Sequence, residues 1–111
     1  LVFTCSLNDK NFHMLNAEIL ELAKPGIRIV NVARGPLIDE TALVHALESE
    51  KVYSAALDVF EVEPLAEDNP LRTFDRCILG SHNGSNTVYA VIRARETALA
   101  RLSEFLKTKN R

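Results

Sequence analysis

The sequence predicts an α/β fold in which a parallel β-sheet is flanked by helices. Short apolar runs rich in β-branched residues alternate with segments whose apolar residues recur at helical spacing, in the order β-α-β-α-β-loop-β-α. The strand segments lack the strict alternation of a half-exposed strand, which is typical of parallel strands covered on both faces. The last segment is the longest and predicts a helix over residues 87–108.

Turn and capping residues set the predicted bounds of the other elements. Asn16 and Asp39 precede helical segments, and their side chains are suited to accept hydrogen bonds from the first N–H groups of a helix. The sequence Lys24-Pro25-Gly26 ends the first helix, because proline cannot continue it and glycine favours a turn. The predicted strands cover residues 1–7, 27–32, 52–60 and 76–79, and the shorter helices cover residues 17–23 and 40–49.

The composition is that of one ordinary globular domain. The chain has 111 residues, of which 47% are hydrophobic and 25% are charged, and its formal net charge is −2. Because lysine and arginine are not clustered, the sequence offers no electrostatic surface for nucleic acid or for an anionic membrane. No segment approaches the ~20 apolar residues of a membrane-spanning helix. We therefore expect a cytoplasmic protein.

The two cysteines predict neither a disulfide nor a metal site. Cys5 and Cys77 each lie in an apolar strand segment, where a buried free thiol is the common state. His13 is interpreted as structural, and His45 lies within a helix without a partner at metal-ligand spacing. The chain begins without methionine, directly in a strand pattern, so we expect it to be part of a longer protein.

Four ionisable residues stand at or beyond the ends of predicted strands. Arg34 follows the second strand, and His82 follows the fourth. Asp58 and Glu63 end or follow the third. Right-handed crossovers bring the carboxyl ends of parallel strands to one edge, where ligands bind in open α/β sheets. The sequence therefore predicts that these side chains converge on a single rim.

Such a cluster is suited to proton transfer next to a bound anion. Glu63 could hydrogen-bond one imidazole nitrogen of His82 and favour the protonated form, while the other nitrogen faces a substrate oxygen. Arg34 carries a permanent charge that can bind a carboxylate through two hydrogen bonds. A metal site of Asp58, Glu63 and His82 is the weaker interpretation, because no short-spaced histidine or cysteine motif supports it. We expect no metal.

The glycines are not spaced as a pyrophosphate-binding turn. They are Gly26, Gly35, Gly80 and Gly84, and no G-x-G-x-x-G sequence occurs. A turn of this kind, if the longer protein has one, precedes Leu1. We therefore expect the chain by itself to be inactive.

Three motifs resemble the signatures of the D-isomer-specific 2-hydroxyacid dehydrogenases, among which phosphoglycerate dehydrogenase-like members are the most similar. The motifs are Asn31-Val-Ala-Arg-Gly-Pro-Leu-Ile-Asp-Glu40, Ala55-Ala-Leu-Asp-Val-Phe-Glu-Val-Glu-Pro64, and His82 with Gly84 and Thr87. The resemblance covers essentially the whole chain. It implies a Rossmann-like fold in which residues 1–111 are the second half of an NAD(P)-binding domain. It also implies that the helix over residues 87–108 leads back to a substrate domain.

The resemblance implies a role for each residue of the predicted rim. Arg34 binds the carboxylate and keto oxygen of a 2-keto acid. His82, paired with Glu63, transfers the proton while hydride moves between the substrate and NAD or NADP. Asp58 contacts the nicotinamide carboxamide. The other residues that the resemblance places at the cofactor are Cys5, Val32, Ala33, Arg34, His82, Gly84 and Ser85.

The implied function is that of an NAD(P)-dependent oxidoreductase acting on a D-2-hydroxy acid, such as one related to 3-phosphoglycerate. Glu63 argues against the formate-oxidising branch of the family, which has glutamine at this position. A dinucleotide-sensing corepressor on the same fold retains the same arginine, glutamate and histidine, so it is the alternative. Many members are dimers through the nucleotide domain, and a homodimer is therefore expected.

Overall fold

The computed structural model describes residues 1–109, whose strands form one four-stranded sheet. The strands are β1 (Val2–Phe3), β2 (Ile27–Asn31), β3 (Val52–Leu57) and β4 (Cys77–Leu79). The α-helices are α1 (Ala17–Leu22), α2 (Glu40–Glu48) and α3 (Val88–Lys109). Short 3-10 helices cover Gly35–Leu37 and Pro70–Thr73.

The strand order is β1-β2-β3-β4, and each strand is parallel to its neighbour. The last residues of the strands pair with one another across the sheet, in the register Phe3, Asn31, Leu57 and Leu79. The carboxyl ends of the strands therefore lie level along one edge. The predicted parallel sheet with flanking helices is confirmed.

β1 is much shorter than the predicted strand over residues 1–7. Only its two residues pair with β2, and in the turn that follows the Asn11 side-chain amide donates to the Ser6 carbonyl at 2.8 Å. Cys5 therefore lies outside the strand and is exposed, so the prediction of a buried thiol is wrong for this residue. Cys77 is half-buried, and burial raises the pKa of its thiol. Both thiols are free.

β3 also ends earlier than predicted, at Leu57 rather than at residue 60. The N–H of Phe60 donates to Glu63 Oε1 at 3.0 Å instead of to a neighbouring strand. A carboxylate that accepts from the backbone in this way favours a turn over a continued ladder. The residues after Leu57 therefore form a turn that carries Glu63.

Asn16 and Asp39 cap the two shorter helices as the sequence predicts. Asn16 Oδ1 accepts a hydrogen bond from the N–H of Ile19, and Asp39 Oδ1 accepts one from the N–H of Ala42, each at 3.0 Å. Each bond satisfies an N–H group that has no partner within its helix. α1 contributes little to the core, since Leu20 is its one buried residue.

The core lies on one face of the sheet, where α2 packs against β3 and α1. The largest fully buried apolar side chains there are Leu15, Ile29, Leu37, Ile38, Leu43, Leu47, Val52 and Leu71.

The opposite face of the sheet is largely open. Val2, Val30, Ala56 and Ile78 form a row across it, because they are paired in register on adjacent strands. Val2 is 60% exposed and Ile78 is 73% exposed. Within residues 1–109 the helices therefore cover mainly the other face of the sheet.

α3 confirms the predicted long helix. It begins at Val88, and Thr87 Oγ1 accepts a hydrogen bond from the N–H of Ala90 at 3.2 Å in its first turn. Much of its apolar surface is exposed, including Leu99 and Leu102, and the molecule is accordingly elongated, with extents of 61 × 28 × 22 Å. None of the described helices combines the length and hydropathy needed to cross a membrane.

The turn after β2 requires glycine at position 35. A Cβ atom on Gly35 would overlap the backbone carbonyl of Phe60, which belongs to the turn after β3. Pro36 follows in the first turn of the 3-10 helix, where its fixed φ is compatible with helical backbone. The close approach at Gly35 therefore packs the turn that carries Arg34 directly against the turn that carries Glu63.

We expect Gly35→Ala to lower the free energy of unfolding by about 1–3 kcal/mol, because the added methyl group overpacks this contact. Urea denaturation of the purified protein measures the change. The matched control is Gly26→Asn, since Gly26 has a φ of 76° that asparagine tolerates and no atom lies within 4 Å of the position that its Cβ would occupy. A loss at Gly35 no larger than the loss in this control would contradict the close approach.

Candidate active site

Backbone hydrogen bonds hold the turns at the carboxyl edge of the sheet in line with the strands. The N–H of Asp58 donates to the carbonyl of Asn31 at 3.0 Å, which ties the residue after β3 to the end of β2. The N–H of Gly80 donates to the carbonyl of Leu57 at 2.7 Å, which ties the residue after β4 to the end of β3. The turns after β2, β3 and β4 therefore lie side by side.

His82 and Glu63 are in direct contact at this edge. His82 Nδ1 lies 2.7 Å from Glu63 Oε2, while Glu63 Oε1 accepts the Phe60 N–H. Both side chains are partly exposed. His82 Nε2 makes no hydrogen bond or ion pair with any residue of the range 1–109. The pair therefore has one nitrogen fixed by a carboxylate and the other available to a ligand.

Glu63 is held in its charged form. The hydrogen bond from His82 lowers the pKa of the Glu63 carboxyl, and the Phe60 N–H lowers it further. The charge of Arg34 acts in the same direction and is the smallest of these causes. At neutral pH an ionised Glu63 therefore faces Nδ1 of His82 as a hydrogen-bond acceptor.

Arg34 lies at the start of the 3-10 helix after β2 and is exposed. Its Nη1 donates to the carbonyl of Ala33 at 2.6 Å. Within the described residues it forms no hydrogen bond or ion pair with Glu63 or His82. The structure therefore brings Arg34 to the same edge as the pair. The charge of Arg34 lowers the pKa of the Glu63 carboxyl, although no hydrogen bond or ion pair joins the two side chains.

Asn31 holds the turn that carries Arg34, a role that was not predicted from the sequence. Its side chain is 1% exposed; Oδ1 accepts the N–H of Ala33 at 3.1 Å, and Nδ2 donates to the carbonyl of Arg34 at 2.9 Å. A buried amide that is bonded at both ends stabilises one backbone conformation. The signal in the sequence was a polar residue at a buried position of an apolar strand.

Asp58 faces the turn that carries His82. Its Oδ1 accepts the N–H of Asn83 at 3.1 Å, and its Oδ2 accepts the N–H of Gly84 at 2.9 Å. These bonds, first that from Gly84 and then that from Asn83, lower the pKa of the Asp58 carboxyl. The Asp58 carboxylate, which is predicted to contact a cofactor, therefore already accepts hydrogen bonds from two backbone N–H groups.

Several residues predicted to contact the cofactor share one open groove of about 550 Å³. It is lined by Cys5, Val32, Ala33 and Arg34, together with Thr4, Ser6 and Leu7. Val32 is 54% exposed and presents an apolar side chain beside polar groups, which is the composition of a cofactor site. These residues therefore fit a bound dinucleotide, and their predicted contact with it stays a prediction.

Gly84 and Ser85 do not line this groove. Gly84 lies against the Asp58 carboxylate, which is 3.0 Å from the position that a Cβ atom would occupy. Ser85 instead lines an open hollow together with residues of α3. Their predicted contact with the cofactor stays a prediction.

His13 takes part in a second polar cluster, at the start of α2. Its Nε2 lies 3.1 Å from Glu61 Oε2 and its Nδ1 lies 3.9 Å from Asp39 Oδ2. Nε2 is buried and makes no hydrogen bond within residues 1–109. Glu61 Oε1 accepts the N–H of Glu40, and Glu40 Oε1 accepts the N–H of Glu61. This cluster joins the turn after β3 to the first turn of α2.

The same cluster is the one grouping of three potential metal ligands within the described residues. It consists of His13, Asp39 and Glu61, with ligand atoms within 4.8 Å of one another. Asp58, Glu63 and His82, the set considered from the sequence, do not form such a grouping in residues 1–109.

Comparisons with known proteins identify the family of this chain. The sequence model for the NAD-binding domain of D-isomer specific 2-hydroxyacid dehydrogenases matches residues 1–84. A glyoxylate reductase of Thermofilum pendens is 42% identical over 101 residues, which cover 91% of this chain and 30% of that protein. Glyoxylate/hydroxypyruvate reductase B of Cronobacter sakazakii is 43% identical over 81 residues, which cover 73% of this chain and 25% of that protein.

Solved structures show the same similarity. The crystal structure of a glyoxylate reductase from Paecilomyes thermophila has a TM-score of 0.83 and 40% identity, and the match covers 92% of this chain and 31% of that one. A D-isomer specific 2-hydroxyacid dehydrogenase from Xanthobacter autotrophicus Py2, solved in complex with NADPH and MES, has a TM-score of 0.71 and 42% identity. That match covers 73% of this chain and 34% of the other.

The chain thus spans less than a third of the length of these curated relatives. The match nevertheless includes the strand ends that carry Arg34, Glu63 and His82. The chain therefore belongs to the D-isomer specific 2-hydroxyacid dehydrogenase family, and its residues 1–84 match the NAD-binding domain of that family.

Proposed function

We propose that this chain is the catalytic portion of a longer NAD(P)-dependent dehydrogenase that interconverts D-2-hydroxy acids and 2-keto acids. The observation that carries the proposal is the His82–Glu63 pair, with 2.7 Å between Nδ1 and Oε2, at the sheet edge where Arg34 also lies. Isolated ion pairs are common on protein surfaces. A histidine fixed at one nitrogen and beside an arginine is, in contrast, the arrangement that proton transfer to a bound 2-keto acid requires.

His82 is the proposed proton donor and acceptor. Glu63 accepts the hydrogen bond of Nδ1 and so leaves Nε2 as the nitrogen that faces the substrate. In the reducing direction Nε2 gives its proton to the carbonyl oxygen, and in the oxidising direction it removes the hydroxyl proton. The ionised state of Glu63 supports this role, because the carboxylate accepts the hydrogen bond of Nδ1 and so fixes the orientation of the imidazole.

Arg34 is the proposed anchor of the substrate carboxylate. One of its N–H groups donates to the carbonyl of Ala33, so other donors of the guanidinium are available for a carboxylate. This bond and the buried amide of Asn31 fix the backbone from which the side chain extends. Anchoring the carboxylate next to His82 would hold the adjacent carbonyl in one orientation.

The groove lined by Cys5, Val32 and Ala33 is the proposed site of the nicotinamide, with residues 84–85 as further contacts. The nicotinamide of NAD or NADP, when bound, supplies or accepts the hydride. The exposed Val32 side chain would cover apolar surface of the ring, and the neighbouring polar groups would orient it. The Xanthobacter relative was solved with NADPH, so both dinucleotides belong in the first assays.

Glyoxylate and hydroxypyruvate are the proposed first substrates, because the curated relatives are named as reductases of these acids. 3-Phosphoglycerate is the next substrate to test, since a phosphoglycerate dehydrogenase from Lactobacillus plantarum is 30% identical, with a TM-score of 0.75.

We further propose that α3 leads to a substrate domain and that the protein is a homodimer. The exposed apolar residues of α3 support both ideas. The free thiols of Cys5 and Cys77 support a cytoplasmic location.

We expect the full-length protein to reduce glyoxylate or hydroxypyruvate with NADH or NADPH, measured by the loss of reduced nicotinamide absorbance. His82→Gln should lower kcat by about 10²–10⁴-fold, because it removes the general acid. The matched control is His45→Gln, an exposed residue of α2 that should leave kcat unchanged.

A sensor of dinucleotides would behave differently in the same assay. In a sensor, the unmodified protein would turn over none of the 2-keto acids at an appreciable rate. Its His82→Gln variant would bind NADH with the affinity of the unmodified protein. That result, obtained with a folded protein, would contradict the proposed dehydrogenase activity and favour the corepressor alternative.

We expect the stabilising contribution of the His82–Glu63 contact to depend on pH. The folded-state pKa of Glu63 is lowered, so its contribution is present above the unfolded pKa of about 4.3 and is lost as the pH falls through the lower folded value. Glu63→Gln should therefore reduce the free energy of unfolding at pH 7, by less than about 1 kcal/mol because the pair is partly exposed. Urea denaturation between pH 7 and pH 3 measures the difference from the unmodified protein.

The control for this series is Glu67→Gln, an exposed residue of the following loop. Its effect should be small and independent of pH. If the effect of Glu63→Gln is equally large at both ends of the pH range, the carboxylate is not the source of the stabilisation.

A further inference from the structure

The turn that carries His82 has little packing of its own. Residues 80–89 are all exposed. His82 has a φ of 56°, a left-handed backbone conformation that a residue other than glycine keeps only when its surroundings hold it. We call residues 80–84 the histidine turn. Hydrogen bonds, and not burial, must hold it in place.

Asp58 supplies these hydrogen bonds. Its backbone carbonyl accepts the N–H of His82 at 2.7 Å, and its carboxylate accepts the N–H groups of Asn83 and Gly84, at 3.1 Å and 2.9 Å. Three successive N–H groups of the histidine turn therefore bind one residue. Asp58 is itself fixed, because its own N–H donates to Asn31 at the end of β2.

The histidine turn also fits closely around the Asp58 carboxylate. Oδ1 occupies the space that a Cβ atom on Gly80 would need, and Oδ2 lies 3.0 Å from the Cβ position of Gly84. The backbone N–H groups lower the pKa of the Asp58 carboxyl, so these hydrogen bonds are charge-assisted at neutral pH. The two glycines thus allow a charged side chain to lie inside the turn.

We propose that Asp58 is a positioning residue, which holds the left-handed backbone of His82 and thereby places the imidazole against Glu63. The proposal rests on the proposed function only in that the imidazole so placed is the proton-transfer group. It differs from the role that the resemblance implies, a contact with the nicotinamide carboxamide. Positioning by Asp58 needs no cofactor and is therefore measurable in its absence.

The test is Asp58→Asn, which keeps the shape of the side chain but turns one of its two acceptors into a donor facing a backbone N–H. In the cofactor-free protein, with histidine labelled by nitrogen-15, we expect loss of the Nδ1–H signal of the His82–Glu63 hydrogen bond. The signal is assigned by its disappearance in His82→Gln. Hydrogen exchange of the Asn83 and Gly84 amides should become at least about tenfold faster. The control is Asp75→Asn, an exposed residue before β4.

Kinetics of the full-length protein separate positioning from cofactor binding. Positioning predicts a fall in kcat of about 10²-fold with the KM for the dinucleotide nearly unchanged. An increase in that KM together with an unchanged Nδ1–H signal would overturn the proposal and assign Asp58 to the cofactor. If the protein proves to be a sensor without turnover, the loss of the signal still tests the positioning role.

Gly80→Ala is a second variant that leaves Asp58 in place. Its methyl group would displace Oδ1, so the same loss of the Nδ1–H signal is expected. An unchanged signal in either folded variant overturns the proposal. If neither variant retains the methyl signals of the core residues Leu43 and Leu47, Asp58 determines the fold as a whole, and the positioning role is likewise rejected.

Discussion

The common carboxyl edge of the parallel sheet is the constraint on which the candidate site depends. The last residues of all four strands are in register, so the turns that follow them start at the same level. Two backbone hydrogen bonds, from Asp58 to Asn31 and from Gly80 to Leu57, extend this alignment beyond the strands. Residues far apart in sequence are thereby brought together without a buried core around them. For this reason His82 can be exposed and still have a fixed geometry.

Much of this arrangement could be predicted from the sequence. Apolar runs separated by helical periodicity indicate parallel strands, and parallel strands place Arg34, Asp58 and His82 at one edge. The caps Asn16 and Asp39 could be predicted because short polar side chains bind the N–H groups of the next turn locally. The pairing of His82 with Glu63 was predicted, but its geometry was not. It depends on how the turn after β3 folds back, which is determined by a hydrogen bond from the Phe60 backbone.

Other features could not be predicted because they arise from contacts between distant segments. β1 was predicted too long, since apolar composition alone does not indicate where the neighbouring strand stops pairing, and Cys5 is exposed as a result. The overlap that requires Gly35 involves Phe60 of another turn. The hydrogen bonds of Asp58 join its backbone carbonyl and its carboxylate, after β3, to three N–H groups after β4.

The proposed dehydrogenase requires Arg34 to bind the carboxylate of a 2-keto acid while His82 donates a proton to the adjacent carbonyl oxygen. The most direct measurement is a crystal structure of the full-length protein with its dinucleotide and oxamate, a non-reducible analogue of a 2-keto acid. We expect the oxamate carboxylate within hydrogen-bond distance of the Arg34 guanidinium and its carbonyl oxygen within about 3 Å of His82 Nε2. Oxamate bound elsewhere, or bound with its carboxylate away from Arg34, would contradict this claim.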